Sequence, residues 1–148
     1  MTKIISLAFT LFICILFNSS IVVAQEVTSH IKITGIRSAK GKIVIGVFKD
    51  NKGFEEEKPF KSFVFDKKSF ANGALYVTIK LDPGIYGLTL MDDENANAKM
   101  DKNFIGMPKE GFGFSNFYLE KLKKPIFDDF KVVLKTDQGK VNIKVKYL

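Results

Sequence analysis

Apolar residues occupy alternate positions through most of this chain, and no stretch carries the 3.6-residue spacing of a long helix. Strict alternation places one set of side chains in a core and the other set in water. We therefore expect an all-β protein, an antiparallel β-sandwich of about seven short strands. The alternating segments lie at residues 31–33, 43–47, 63–65, 77–81, 85–90, 130–134 and 141–147.

Turn residues and two irregular segments separate the alternating stretches. Thr136 to Gly139 is expected to close a hairpin between the last two strands. Residues 50–61 break the alternation, and a single helical turn is expected around Glu55 to Lys61. Residues 92–127 form a second and longer break. Loops longer than about 12 to 15 residues within a compact domain are often functional, so we look for function there.

The first 24 residues have the pattern of a secretory signal peptide. Lys3 supplies a positive start, residues 4–17 form an apolar run, and Ala24 ends a short-chain cleavage motif. The run is short for a membrane span, which needs about 20 apolar residues, so cleavage is favoured over a retained anchor. A lipoprotein is disfavoured because Ile13 is too bulky for the position before Cys14. We expect an exported protein, periplasmic or secreted, with no stable membrane span after cleavage.

Signal cleavage would leave one domain, residues 25–148, without cysteine, because Cys14 is the only one in the chain. Such a domain has no disulfide, no thiol nucleophile and no cysteine-based metal site. Its charge would be 22 basic minus 16 acidic residues, or +6, since Lys3 leaves with the signal. The remaining basic residues are lysines except for Arg37. Nucleic-acid readers use arginine for bidentate contacts, so no nucleic-acid partner is expected.

The segment from Asp92 to Asp101 is acidic and rich in side-chain oxygens, in an otherwise basic chain. Its oxygens recur at alternate positions, which is the spacing that lets a loop wrap a hard cation such as Ca²⁺. Close carboxylates repel one another, and a divalent ion would relieve that repulsion. The predicted ligands are the side chains of Asp93, Asn95, Asn97 and Asp101 and the carbonyl of Lys99, with Asp92 or Glu110 completing the set.

Two positions differ from a normal EF-hand loop, so the predicted calcium site is a weak one. Phe104 stands at position 12, where a bidentate glutamate is needed, and Ala98 stands at position 6, where glycine is needed. A left-handed conformation would cost Ala98 about 1 kcal/mol. The alternative is an Asx-rich turn whose side chains bond to their own main chain.

A long motif runs from Asp93 to Asp101 and continues from Asn103 to Asn116. Together with upstream segments at residues 41–48, 53–54 and 81–86, it resembles the DUF2141 family of small exported bacterial proteins. The family usually has His at the position of Asp92 and Gly at the positions of Ala96 and Ala98. The resemblance implies a transthyretin-like or immunoglobulin-like β-sandwich and no known activity.

Phe112 and Phe114 alternate with Gly111 and Gly113 just after the acidic loop. In one interpretation the two rings plug an end of the sandwich while the glycines permit tight bends. In the other they form an aromatic ledge that binds a partner, either an envelope protein or a glycan. A third role is purely structural, with sheet edges that pair with another chain.

The sequence predicts a protein that is not an enzyme. His30 is the single histidine, and no Ser-His-Asp set or nucleophile elbow is visible. The alternative is a carboxylate-dependent hydrolase that acts on an envelope glycan through Glu94 or Glu110. Paired acids in one loop are more often ligands or surface residues, so a binding or structural accessory role in the cell envelope is preferred.

Overall fold

The protein is nearly all-β. A computed structural model describes residues 26–121, 123–135 and 139–148, so the predicted signal peptide and most of the 136–139 turn lie outside the described residues. Two short helices, α1 (Asn51–Glu55) and α2 (Phe127–Phe130), occur in the described part of the chain. Its eight strands are β1 (Val27–Thr34), β2 (Lys42–Phe48), β3 (Lys61–Asp66), β4 (Ala74–Leu81), β5 (Gly84–Asp93), β6 (Gly111–Phe114), β7 (Lys131–Leu134) and β8 (Lys140–Lys144).

The strands form two sheets, which confirms the predicted sandwich. One sheet has the order β4-β1-β8, and the other has the order β3-β2-β5-β6 with β7 also paired to β5. Strand β5 is long enough to pair with both β7 and β6 along the same edge. Residues 84–87 pair with β7, and residues 89–92 pair with β6. All pairs are antiparallel except β1 with β8.

Alternation along the strands builds the core between the two sheets. Residues of one phase, such as Ile31 and Ile45, are fully buried there, while the opposite phase of the three-stranded sheet carries polar side chains. None of the described residues belongs to a helix long and apolar enough to cross a membrane. The inter-sheet core includes Ile33, Ile43, Val47, Leu75, Ile79, Leu88, Leu90, Leu134, Val141 and Ile143.

A second apolar layer covers the outer face of the five-stranded sheet. It consists of Phe48, Phe54, Phe114, Phe127 and Phe130, whose rings meet mostly edge to face. Helix α2 can lie against β5 because the facing residue is glycine: a Cβ at Gly87 would stand 2.4 Å from the Phe130 ring. This layer therefore covers part of the outer face, while Val64, Ile85 and Val133 on the same face stay exposed.

Three details of the sequence prediction were wrong. β6 lies inside the segment expected to be a loop, and it pairs with β5. The last two strands do not form a hairpin, because β7 pairs with β5 in one sheet and β8 pairs with β1 in the other. The short helix covers Asn51–Glu55 rather than Glu55 to Lys61, because the Asp50 side chain caps it by accepting a 2.7 Å hydrogen bond from the Gly53 amide.

Candidate functional site

Asp92 and Asp93 end strand β5, and their side chains therefore point to opposite faces of the sheet. Asp92 shares the inner face with Leu88 and Leu90, and Asp93 shares the outer face with Met91. Both carboxylates are buried, at 0% and 1% exposure. The predicted oxygen cluster is consequently divided between two environments.

The inner carboxylate is neutralised by the protein itself. Asp92 forms an ion pair with Lys67, whose side chain is also buried, and it accepts a hydrogen bond from the Tyr147 hydroxyl. The Lys67 ammonium also donates to the Ser38 carbonyl at 3.2 Å. Burial, followed by the bond to Asp92, raises the pKa of Tyr147 well above its ordinary range. Asp92 therefore has partners other than the calcium loop.

Arg37 and Glu94 cover this inner pair. The guanidinium of Arg37 bonds both oxygens of Glu94 and lies 4.2 Å from the centre of the Tyr147 ring. Its hydrogen bonds lower the pKa of Glu94. The Ser38 hydroxyl donates to the same carboxylate at 3.3 Å. Sequence reasoning missed this network, although the single arginine of the chain was a usable signal.

The outer carboxylate, Asp93, closes the acidic loop on itself. One of its oxygens accepts from the main-chain amide of Asn97 at 3.0 Å, and the other accepts from the main-chain amide of Ala98 at 2.8 Å. Ala96 and Ala98 adopt left-handed conformations, with φ of 59° and 60°. The loop thus takes the backbone shape for which the sequence comparison expected glycines.

The remaining predicted ligands gather around Asp101. The side-chain amides of Asn95 and Asn97 donate to the same Asp101 oxygen at 2.6 and 3.2 Å. The side-chain oxygen Oδ1 of Asn97 accepts from the Lys99 main-chain amide at 2.8 Å. The loop therefore forms Asx turns, and the asparagine atoms that face Asp101 are the amide nitrogens rather than the oxygens.

Glu110 lies beside this loop and has an unusual environment. It is 5% exposed, one carboxylate oxygen accepts from the Asp101 main-chain amide at 3.4 Å, and the other is buried with no hydrogen bond of good geometry, although the Glu94 main-chain amide is near enough to lower the pKa of Glu110. Burial, with a smaller contribution from the charges of Asp93 and Asp101, raises the pKa of Glu110. Among residues 26–121, 123–135 and 139–148, no ion pair involves Asp93, Asp101 or Glu110.

As they stand, the acidic side chains do not form a ready metal cage. Within the described ranges, no three His, Cys, Asp or Glu side chains are grouped so as to hold a metal ion. A cation at this loop would have to draw on amide and main-chain oxygens as well as carboxylates.

The same loop forms one wall of an apolar groove of about 580 Å³ on the outer face of the five-stranded sheet. Phe112 and Phe114 contribute to its floor together with Met91 and Val44. The expected plug at the end of the sandwich is wrong, because both rings lie on the outer face. Gly113 instead faces the core, where a Cβ would stand 2.6 Å from the Ile143 side chain, so the glycine allows close packing of the two sheets.

Comparison with known proteins identifies the chain at the level of family. The model of an uncharacterised protein family conserved in bacteria, DUF2141, matches residues 31–142. Neither a curated protein nor a solved structure matches the chain. The match covers most of the sandwich, from β1 through β8, and includes the acidic loop and β6. The chain belongs to the DUF2141 family, for which no function is assigned.

Proposed function

We propose that the chain is an exported binding module of the cell envelope, and that Ca²⁺ braces its loop at residues 93–101. The observation that carries the calcium proposal is the burial of the Asp93 and Glu110 carboxylates, neither of which enters an ion pair among the described residues; one Glu110 oxygen also has no hydrogen bond of good geometry. A buried polar atom without a partner is costly, and a cation would satisfy it. Asp92 is left out of the proposed ligand set because Lys67 and Tyr147 already bond it.

The proposed site uses Asp93, Asn95, Asn97 and Asp101 from the loop, the Lys99 carbonyl, and Glu110 in place of the glutamate missing at position 12. Binding would replace the amide-to-carboxylate bonds at Asp101 with bonds to the ion. Rotation of the two asparagine amides would turn their oxygens toward it. Three carboxylates and several neutral oxygens favour the binding of Ca²⁺ over Mg²⁺, because Ca²⁺ accepts six to eight oxygen ligands in irregular geometry.

Calorimetric titration of EDTA-treated mature protein, residues 25–148, tests this proposal. We expect a dissociation constant of roughly 10⁻⁴ to 10⁻³ M, as for extracellular calcium modules. A tenfold excess of Ca²⁺ over that constant should stabilise the fold by about 1.4 kcal/mol. Glu110→Gln and Asp101→Asn should abolish the heat, whereas Asp66→Asn, an exposed acid outside the loop, should not. The absence of both heat and a melting shift at millimolar Ca²⁺ would end the proposal.

Export is proposed from the amino-terminal pattern alone, since residues 1–24 lie outside the described part of the chain. Its support is the charged start, the short apolar run and the cleavage motif ending at Ala24. Amino-terminal sequencing of protein recovered from the periplasm and the culture medium should begin at Gln25. Recovery of the intact leader in the cytoplasmic fraction would contradict export.

A binding role is proposed in preference to catalysis. The opposed pKa shifts of Glu94 and Glu110 are what an acid–base pair requires, and this observation favours the hydrolase alternative. Against it, Arg37 holds both oxygens of Glu94, and Glu110 is nearly inaccessible to a glycan. Turnover of cell-wall glycan fragments that disappears in Glu110→Gln would establish the hydrolase instead.

A further inference from the structure

We propose that the groove on the outer face of the five-stranded sheet binds one amphipathic molecule with a flexible apolar chain and an anionic head group. This inference rests on the binding role proposed above and names the ligand class. The groove measures about 580 Å³. Small-molecule sites commonly enclose about 300 to 1,000 Å³, whereas protein partners bury roughly 800 Å² of a broader surface. The size therefore favours one small ligand over a second protein.

The chemistry of the lining favours an apolar chain over a sugar. Five of the 23 lining residues carry polar side chains: Glu57, Ser62, Thr89, Lys102 and Lys124. A sugar needs hydrogen-bonding partners for most of its hydroxyl groups, and this lining supplies few. The remaining residues are aliphatic, aromatic, proline or glycine, which suit a hydrocarbon.

Methionine is concentrated in the groove. The chain has four methionines, and the three beyond Met1 all line it: Met91 on the floor and Met100 and Met107 on the loop wall. All three are half-buried. Unbranched thioether side chains adapt to irregular and variable apolar shapes, so they accommodate a flexible chain better than a rigid ring system.

The charges in the lining favour an anionic head group. Lys102 pairs with Glu57 at 3.6 Å, so these two charges offset each other. Lys124 lies 4.8 Å from the centre of the Phe54 ring and enters none of the ion pairs found in the described ranges. Residues 25–148 end in a carboxylate at Leu148, which also lines the groove, so Lys124 is the cation that an anionic head group would meet. An anionic group beside Lys124 would place the apolar chain along the methionines.

The three methionines allow a direct experiment, because mature protein labelled with ¹³C at the methionine methyl groups should give three signals, all from the groove. Titration with dodecanoate below its micelle concentration should shift all three signals and saturate at one molecule per chain. Dodecanol should bind more weakly, and the dodecyltrimethylammonium cation should not saturate the site.

Two lysine variants make the head-group assignment specific. Lys124→Gln should weaken dodecanoate binding about fivefold, the effect of losing about 1 kcal/mol of exposed charge attraction. Lys123→Gln removes the same charge from an exposed neighbour outside the groove and should leave the affinity unchanged. Equal binding of all three probes, or equal affinity of the two variants, would overturn the anionic head group.

Two further outcomes would overturn the groove itself. Binding that leaves the methionine signals unmoved would place the ligand elsewhere. Methionine signals that change with protein concentration, together with a dimer by light scattering, would make the groove an interface between copies. Each titration is run in EDTA, because Ca²⁺ would precipitate dodecanoate. Binding measured in EDTA does not depend on the calcium proposal.

Discussion

The two sides of the end of β5 carry the same residue type in opposite electrostatic settings. On the inner side, Asp92 meets the buried ammonium of Lys67, and the Tyr147 hydroxyl completes its bonding. On the outer side, Asp93 and Glu110 are also buried but have only amide donors for partners among the described residues. The protein supplies a counter-ion on one side, and we propose that solvent supplies it on the other.

The largest expected effect comes from breaking the inner pair. Lys67→Met would leave Asp92 buried without its cation, and losing one partner of a buried ion pair costs about 3 to 5 kcal/mol. Urea unfolding of the mature protein at neutral pH measures this loss. Lys68→Met, at the exposed neighbouring position, should change stability by less than about 0.5 kcal/mol. Equal stability of the two variants would mean that the inner side does not depend on its counter-ion.

A smaller effect is expected from the pH dependence of the outer side. Burial raises the pKa of Glu110 above its ordinary 4.5, so above that pH the folded state retains a proton that the unfolded chain has released. The stabilisation is complete below the unfolded value and falls as the pH rises through the folded value. Melting temperatures in EDTA should therefore decline across this window.

Two comparisons isolate Glu110 in that experiment. Glu110→Gln should remove the decline, and Glu120→Gln, at an exposed position, should keep it. Ca²⁺ should also remove the decline, because a cation favours the charged carboxylate. Glu94 acts in the opposite direction: its lowered pKa gives stability that is lost as the pH falls below 4.5. A wild-type decline that Glu110→Gln leaves intact would assign the titration to another group.

Alternation was sufficient to predict the sandwich, and the residues that it missed show its limit. β6 was not predicted as a strand because its inward positions are Gly111 and Gly113, which add no apolar residue to the alternating pattern. The glycines are there because the other sheet comes close, which is a property of the assembled layers. The sequence did not predict that β7 and β8 lie in different sheets, because turn residues indicate a change of direction and not which sheet the chain enters next.

The acidic composition of the loop was evident from the sequence, but the separation of its carboxylates between the two faces of the sheet was not. Asp92 and Asp93 are neighbours in sequence, and only the extension of β5 through both residues sends one inward and the other outward. The burial of Lys67 could not be predicted from the sequence, because lysine is almost always exposed and its partner Asp92 lies 25 positions away. Glu110 was identified as a ligand candidate, but its burial depends on the fold.

The smallest expected effect sharpens the outer side of the comparison. Ala98 holds a φ of 60°, a conformation that costs a side-chain-bearing residue about 1 kcal/mol more than glycine. Ala98→Gly should therefore raise stability by about 0.5 kcal/mol once the added freedom of the unfolded chain is counted. Ala71→Gly, at an exposed loop position outside the left-handed region, should lower it by a similar amount. Urea unfolding that shows the same direction of stability change in both variants would mean that the loop stores no strain at Ala98. If Ala98→Gly also tightens Ca²⁺ binding, the strained backbone and the proposed ion belong to one site.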